Sequence, residues 1–150
     1  MVLTVDLGAV GTESYQTGAV GAILDRHPNL RLVIAHLAQP PLGSADNTRL
    51  LHQWKEQVLL ARNPQVWLDM AALPAYSNEN YPYPTALELL RKAVELIGSA
   101  KILWGSDVPG LLNRATYHQL LDYMVQYSEF LSETDRARIL GENAAFVYGK

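Results

Sequence analysis

Four polar side chains stand at the ends of apolar runs, where they could do chemistry together: Asp6, His36, Asp69 and Asp107. Each closes a short stretch of apolar, often β-branched residues: MVLTV before Asp6, LRLVIA before His36, QVWL before Asp69 and KILWGS before Asp107. A residue in that position has its backbone at the edge of a core while its side chain can point into a mouth. Three carboxylates and one imidazole on a shared face could bind a divalent cation, or act as acid and base. The competing reading is structural, because Asp and His at strand ends also bond loop amides and cap turns. For Asp69, bonding to neighbouring backbone is the expected role. His27, His52 and His118 fall in helical or turn contexts and are expected to be solvated.

The elements that must carry these residues alternate. Apolar runs at Met1–Leu7, Leu30–Leu37, Gln65–Met70 and Lys101–Trp104 predict strands. Helical spacing predicts helices over Thr17–Arg26, Asn47–Arg62, the segment from Thr85 to Gly98, Thr116–Tyr127, Ser132 to about Leu140, and Asn143–Tyr148. Thr85 with Glu88, and Ser132 with Asp135, have the three-residue spacing of N-terminal caps. Ala75–Pro84, with three tyrosines and two prolines, reads as a loop. Strands that are apolar throughout, separated by helices, form a parallel sheet covered by helices. Two architectures use such units. The pattern alone leans towards a doubly wound open sheet, because a closed (β/α)8 barrel commonly takes about 250 residues. The dinucleotide fingerprint GxGxxG that would strengthen the open sheet is absent.

Composition narrows the class. The 150 residues suit one domain with a single core, and neither a linker nor a low-complexity segment interrupts them. A net charge of −3 without basic clusters argues against nucleic acid or an anionic membrane as partner. With no cysteine, any metal would use His, Asp or Glu, which suits zinc or manganese. No apolar run approaches the roughly 20 residues of a membrane span, and a soluble, cytoplasmic chain is expected.

Several segments together resemble the amidohydrolase-related family. HPNLRLVIAHLAQP (27–40) is similar to the family's rfPdlklvlaHlG strand, and IGSAKILWGSDVP (97–109) to iGadrilfGSDyP. QVWLDMAAL (65–73) fits the strand between them, and LSETDRARILGENAAFVYG (131–149) resembles the family's closing helix. The resemblance implies α/β architecture: the C-terminal half of a TIM barrel, strands five to eight, as one partial domain over 1–150. It overrides the open-sheet preference.

It also implies a function, hydrolysis of a small cyclic ester, lactone or amide by an activated water, with decarboxylation as a related chemistry. His36 would be the base or oxyanion partner, Asp107 a metal ligand or proton shuttle, and Asp6 a metal ligand where relatives carry histidine. Trp104, Arg114, Tyr76 and Tyr81 would line the substrate site. A divalent zinc or manganese ion would be held weakly, because the family's H-x-H pair is absent from this sequence. A half barrel would leave two sheet edges and its inward face uncovered. A homo-oligomer, or a complementary N-terminal half-barrel, is therefore expected as partner. The alternative function is a non-catalytic remnant that serves as a binding or oligomerisation module.

Overall fold

A computed structural model describes residues 1–12, 17–41, 47–77 and 79–149. Four strands form at the apolar runs: β1 (Val2–Val5), β2 (Arg31–Ile34), β3 (Val66–Asp69) and β4 (Ile102–Leu103). They pair in parallel in the order β1-β2-β3-β4. Between and after them run α1 (Thr17–Arg26), α2 (Thr48–Leu59), α3 (Pro84–Ile97) and α4 (Tyr117–Tyr127). A last helical segment comprises α5 (Glu133–Ala137), a widened π-type turn (Arg138–Glu142) and α6 (Asn143–Tyr148).

The strand order separates the two architectures left open by the pattern. A doubly wound sheet reverses its order at a switch point and puts helices on both faces. Here the order never reverses, so crossovers of one hand place the connecting helices α1, α2 and α3 on the same face. The main core shows this directly. Leu32, Ile34, Val66, Leu68 and Ile102 pack with Val20 and Leu24 of α1, Trp54 and Val58 of α2, Leu90 of α3 and Met124 of α4. The intervening residues Val33, Trp67 and Leu103 point the other way. This is the wall of a barrel: helices outside, a second face inside.

That inner face and the far edge are more complete than expected. Val33, Trp67 and Leu103 are almost fully buried beneath Val147 of α6. Arg31 fixes α6 by donating to the carbonyls of Phe146 and Val147. The outer edge of β4 is also occupied. Its Trp104 N–H donates to Ile139 O at 2.8 Å. Asn143 Nδ2 donates to Ile102 O at 2.7 Å and to Ser99 O at 2.8 Å. The expectation of two open edges is therefore corrected. The C-terminal segment closes β4, and among the described residues β1 remains the open edge. Beside β1 runs an apolar groove of about 290 Å³, whose walls include Leu3, Val5, Ile23 and Leu32.

Helix starts follow local chemistry. Asn47 caps α2, Thr116 and Gln119 form a capping box on α4, and Ser132 caps α5. Thr85 does not cap α3. Pro84 occupies the first turn, where its fixed φ and missing N–H suit a helix start, so the boundary moves to Tyr83. The Thr85 amide instead donates to the Glu79 carboxylate.

Asn143→Leu preserves volume but strips two buried carbonyls of their donor. It is expected to cost about 2–4 kcal/mol and to lower the urea midpoint. An unchanged midpoint would show that β4 does not depend on this closure.

Candidate active site at the carboxyl ends of the strands

The strand ends are where the backbone departs most from ordinary geometry. His36, Leu37, Ala38 and Gln39 have φ of 57°, 49°, 58° and 51°. They form one left-handed turn immediately after β2, closed by Ala38 N to Ala35 O and Gln39 N to His36 O. Each left-handed L-residue costs about 1–2 kcal/mol. The turn persists because its surroundings bind it from behind. Trp54 Nε1 donates to Leu37 O at 2.8 Å, and Gln57 Nε2 donates to Ala38 O at 3.3 Å. Both α2 side chains are fully buried. Ala72 after β3 and Asp107 after β4 are also left-handed, with φ of 60° and 53°.

Asp69 ties the ends of β2 and β3 together. Its Oδ1 accepts from His36 N at 3.2 Å and Ala71 N at 3.0 Å. This is the backbone-bonding role expected of it. His36 is oriented from its ring as well, with Nδ1 lying 3.2 Å from Ala71 O. A carbonyl only accepts, so Nδ1 is the donor in this contact and Nε2 is the nitrogen turned towards Asp6. That nitrogen lies 3.9 Å from Asp6 Oδ2. The separation is too long for a direct hydrogen bond, and a water set to one side of the pair reaches both atoms at hydrogen-bond distance.

Asp6, His36, Gln39, Tyr76 and Asp107 line one cleft of about 600 Å³, with apolar walls that include Val10, Pro40, Leu50 and Ala72. The volume is in the range of small-molecule sites. Burial, then the nearby Asp6 and Asp107 carboxylates, push the Tyr76 hydroxyl up to about 12. Tyr76 is therefore a proton-bearing donor at neutral pH. Gly110 lets the turn after β4 fold onto Asp107, because a Cβ there would lie 2.9 Å from Asp107 Oδ2.

Three sequence candidates fall elsewhere. Trp104 lies two residues after Ile102, so strand alternation turns it towards the helices. Its Nε1 donates to Leu120 O, and its ring meets Tyr117 edge to face. Tyr81 stacks edge to face on Tyr83 and Tyr127. Arg114 is exposed after β4 and does not line the cleft. Gln39 was missed by the sequence reading. Its only signal there was its place three residues after His36, and the left-handed turn that makes it a cleft residue is invisible in residue types.

The donor set also bears on a metal. Among the described residues no three His, Asp or Glu side chains are grouped to hold an ion. Asp69 is committed to two N–H groups, and one Asp6 oxygen accepts from Gln39 Nε2. Asp6 and Asp107 are the oxygens that an ion would find here, and by themselves they do not make a metal site.

Asp69 gives the site a pH signature. Burial pushes its carboxyl above the ordinary carboxylate range, against the Ala71 and His36 N–H groups and the His36 ring, which lower it. The folded state thus holds a proton that the unfolded chain has released. Its contribution is full below the ordinary value of about 4 and is lost as pH rises through the higher folded value. Asp69→Asn keeps an acceptor and cannot ionise. Its stability relative to the parent should increase as pH rises from about 4 and then level off, as read by thermal melts. A difference independent of pH would remove Asp69 as the cause.

Comparison with known proteins places this geometry. The L-fucono-1,5-lactonase of Burkholderia ambifaria is 31% identical over 139 residues, covering 87% of this chain and 45% of the lactonase. An amidohydrolase from Burkholderia multivorans, crystallised with HEPES, superposes with a TM-score of 0.82 at 25% identity, over 98% of this chain and 52% of that one. A second crystal form of a B. multivorans amidohydrolase, with bound zinc, gives a TM-score of 0.79 at 25% identity over the same shares. The chain thus spans about half the length of these relatives. The Amidohydrolase family model matches residues 10–150, and the chain belongs to that family.

Proposed function

We propose that the cleft hydrolyses a small lactone, with His36 as general base. The observation that carries this reading is the Ala71 carbonyl on His36 Nδ1, which leaves Nε2 as the base facing Asp6. Water bridging His36 and Asp6 from beside the pair would give one proton to Nε2 while Asp6 accepts its other hydrogen. The water oxygen then attacks the lactone carbonyl carbon. The carbonyl π pair moves onto oxygen, where the Tyr76 hydroxyl donates to it. On collapse the ring C–O bond breaks, and the leaving alkoxide takes the proton held on His36. Asp6 and Asp107 stabilise the intervening imidazolium, and their charge repels the acid product.

The similarity to a lactonase supports the ester substrate, and the zinc-bound relative supports a divalent ion within the family. In this chain Asp6 and Asp107 by themselves do not make a metal site, and the steps above are carried by His36, Asp6 and Tyr76. Decarboxylation is the related chemistry on this scaffold. The second reading is a non-catalytic binding or oligomerisation module.

His36→Gln separates the two readings. It keeps a polar side chain and removes the base, so lactone turnover is expected to fall by about 10²–10⁴-fold with the melting temperature nearly unchanged. Absence of turnover in the parent protein towards a lactone panel would favour the non-catalytic module.

The open β1 edge is part of the same proposal. β1 carries neither Lys nor Pro to discourage pairing, and Leu3 and Ile23 beside it are each 43% exposed. A second copy, or a complementary half-barrel, would cover it. Size-exclusion with light scattering is expected to show a species larger than 16.7 kDa, shifted to the monomer by Leu3→Lys. A monomeric parent protein would refute self-association.

A further inference from the structure

We propose that Gln57 is a positioning residue for His36: from within α2 its amide sets the left-handed turn that keeps the imidazole on the Ala71 carbonyl. The need for it begins in the sequence. Each bond that closes the turn reaches three residues back, Ala38 N to Ala35 O and Gln39 N to His36 O. The next donors in that series would be the N–H groups of residues 40 and 41, and both are prolines, which have none. Leu37 O and Ala38 O are thus denied the backbone partners that the turn's own pattern would give them. Helix α2 answers at these two oxygens. Trp54 Nε1 donates to Leu37 O at 2.8 Å and Gln57 Nε2 to Ala38 O at 3.3 Å. Three residues apart, the two side chains share one face of the helix and meet two consecutive carbonyls.

Stability alone does not account for a glutamine at this place. Gln57 is fully buried, and among the described residues its Oε1 meets no donor. A buried, unpaired oxygen costs the desolvation of that group, which is at least as large as the net contribution of one hydrogen bond. The bond that Gln57 does make is a long one. A methionine of similar length and volume would remove the unpaired oxygen while giving up the Ala38 contact, and would leave the fold about as stable. What it could not do is fix the turn. His36 opens the turn, with its amide on Asp69 and its ring Nδ1 on Ala71 O. Held by Asp69 at the front and by α2 behind, the four strained residues have one setting, and strain of this kind persists only where the surroundings enforce it. Released at Ala38, the turn relaxes and the ring leaves the Ala71 carbonyl.

The kinetic arm of the test rests on the hydrolase reading, and the NMR arm does not. Gln57→Met is compared with Trp54→Phe, which removes the other donor, and with Val58→Ala, which weakens the core contact of the same helix and leaves the turn alone. In ¹⁵N NMR of the full chain, the neutral His36 ring of the parent protein is expected to show a protonated Nδ1 and a bare Nε2. Gln57→Met and Trp54→Phe should draw the two signals together as the tautomers mix, and Val58→Ala should not. On the lactone panel, δ-valerolactone included, kcat of Gln57→Met is expected to fall about 10–100-fold at nearly constant KM, with a melting temperature close to that of the parent. Val58→Ala should lower the melting temperature and keep kcat. Displaced His36 signals in Gln57→Met, without turnover of any lactone by the parent, would sink the hydrolase reading and leave Gln57 in its role. Unchanged His36 signals in that variant, or an unchanged kcat where the parent turns a lactone over, would overturn the role and leave the reading. A fall in the melting temperature of Gln57→Met as large as that of Val58→Ala would also overturn it, by making the glutamine a support of the fold.

Discussion

A carbonyl oxygen has no proton to give, and the Ala71 carbonyl 3.2 Å from His36 Nδ1 therefore makes Nδ1 the donor of that contact and turns Nε2 towards the cleft. Everything else at the cleft is arranged around that one contact. Asp69 holds the amides of both His36 and Ala71, so the donor ring and the acceptor carbonyl are positioned by the same carboxylate. The ends of β2 and β3 thereby act as one unit, and Nε2 is presented to Asp6 at the end of β1.

Holding that contact requires a backbone that the chain would not adopt alone. A run of four left-handed residues without glycine is costly, and its carbonyls point where no strand can receive them. Helix α2 supplies the donors, the Trp54 indole and the Gln57 amide. The outer layer of the wall is thus connected to the chemistry at its rim. A helix face that reads in sequence as simple packing also holds the turn that carries His36.

The wall itself is closed unevenly. The C-terminal segment plugs the inner face with Val147 and occupies the β4 edge with Ile139 and Asn143, while among the described residues no strand pairs with the outer side of β1. Unpaired backbone groups together with exposed apolar side chains create a demand for another strand. No helix among the described residues is long and apolar enough to cross a membrane.

Residue types and spacing were enough to locate the four strands, the six helices and the polar residues that close each apolar run, because burial on both faces leaves a continuous apolar signature. They also placed Asp6, His36, Tyr76 and Asp107 in one neighbourhood, since parallel strands bring their carboxyl ends together. Side-chain direction was another matter. Trp104 follows strand alternation towards α4, Tyr81 is taken up by an aromatic stack, and Gln39 enters the cleft through a left-handed turn. Closure of β4 depends on Asn143, 40 residues further along the chain than Leu103. Contacts of that kind join residues whose sequence positions share no period, so they exist only once the chain has folded and its carbonyls have found donors.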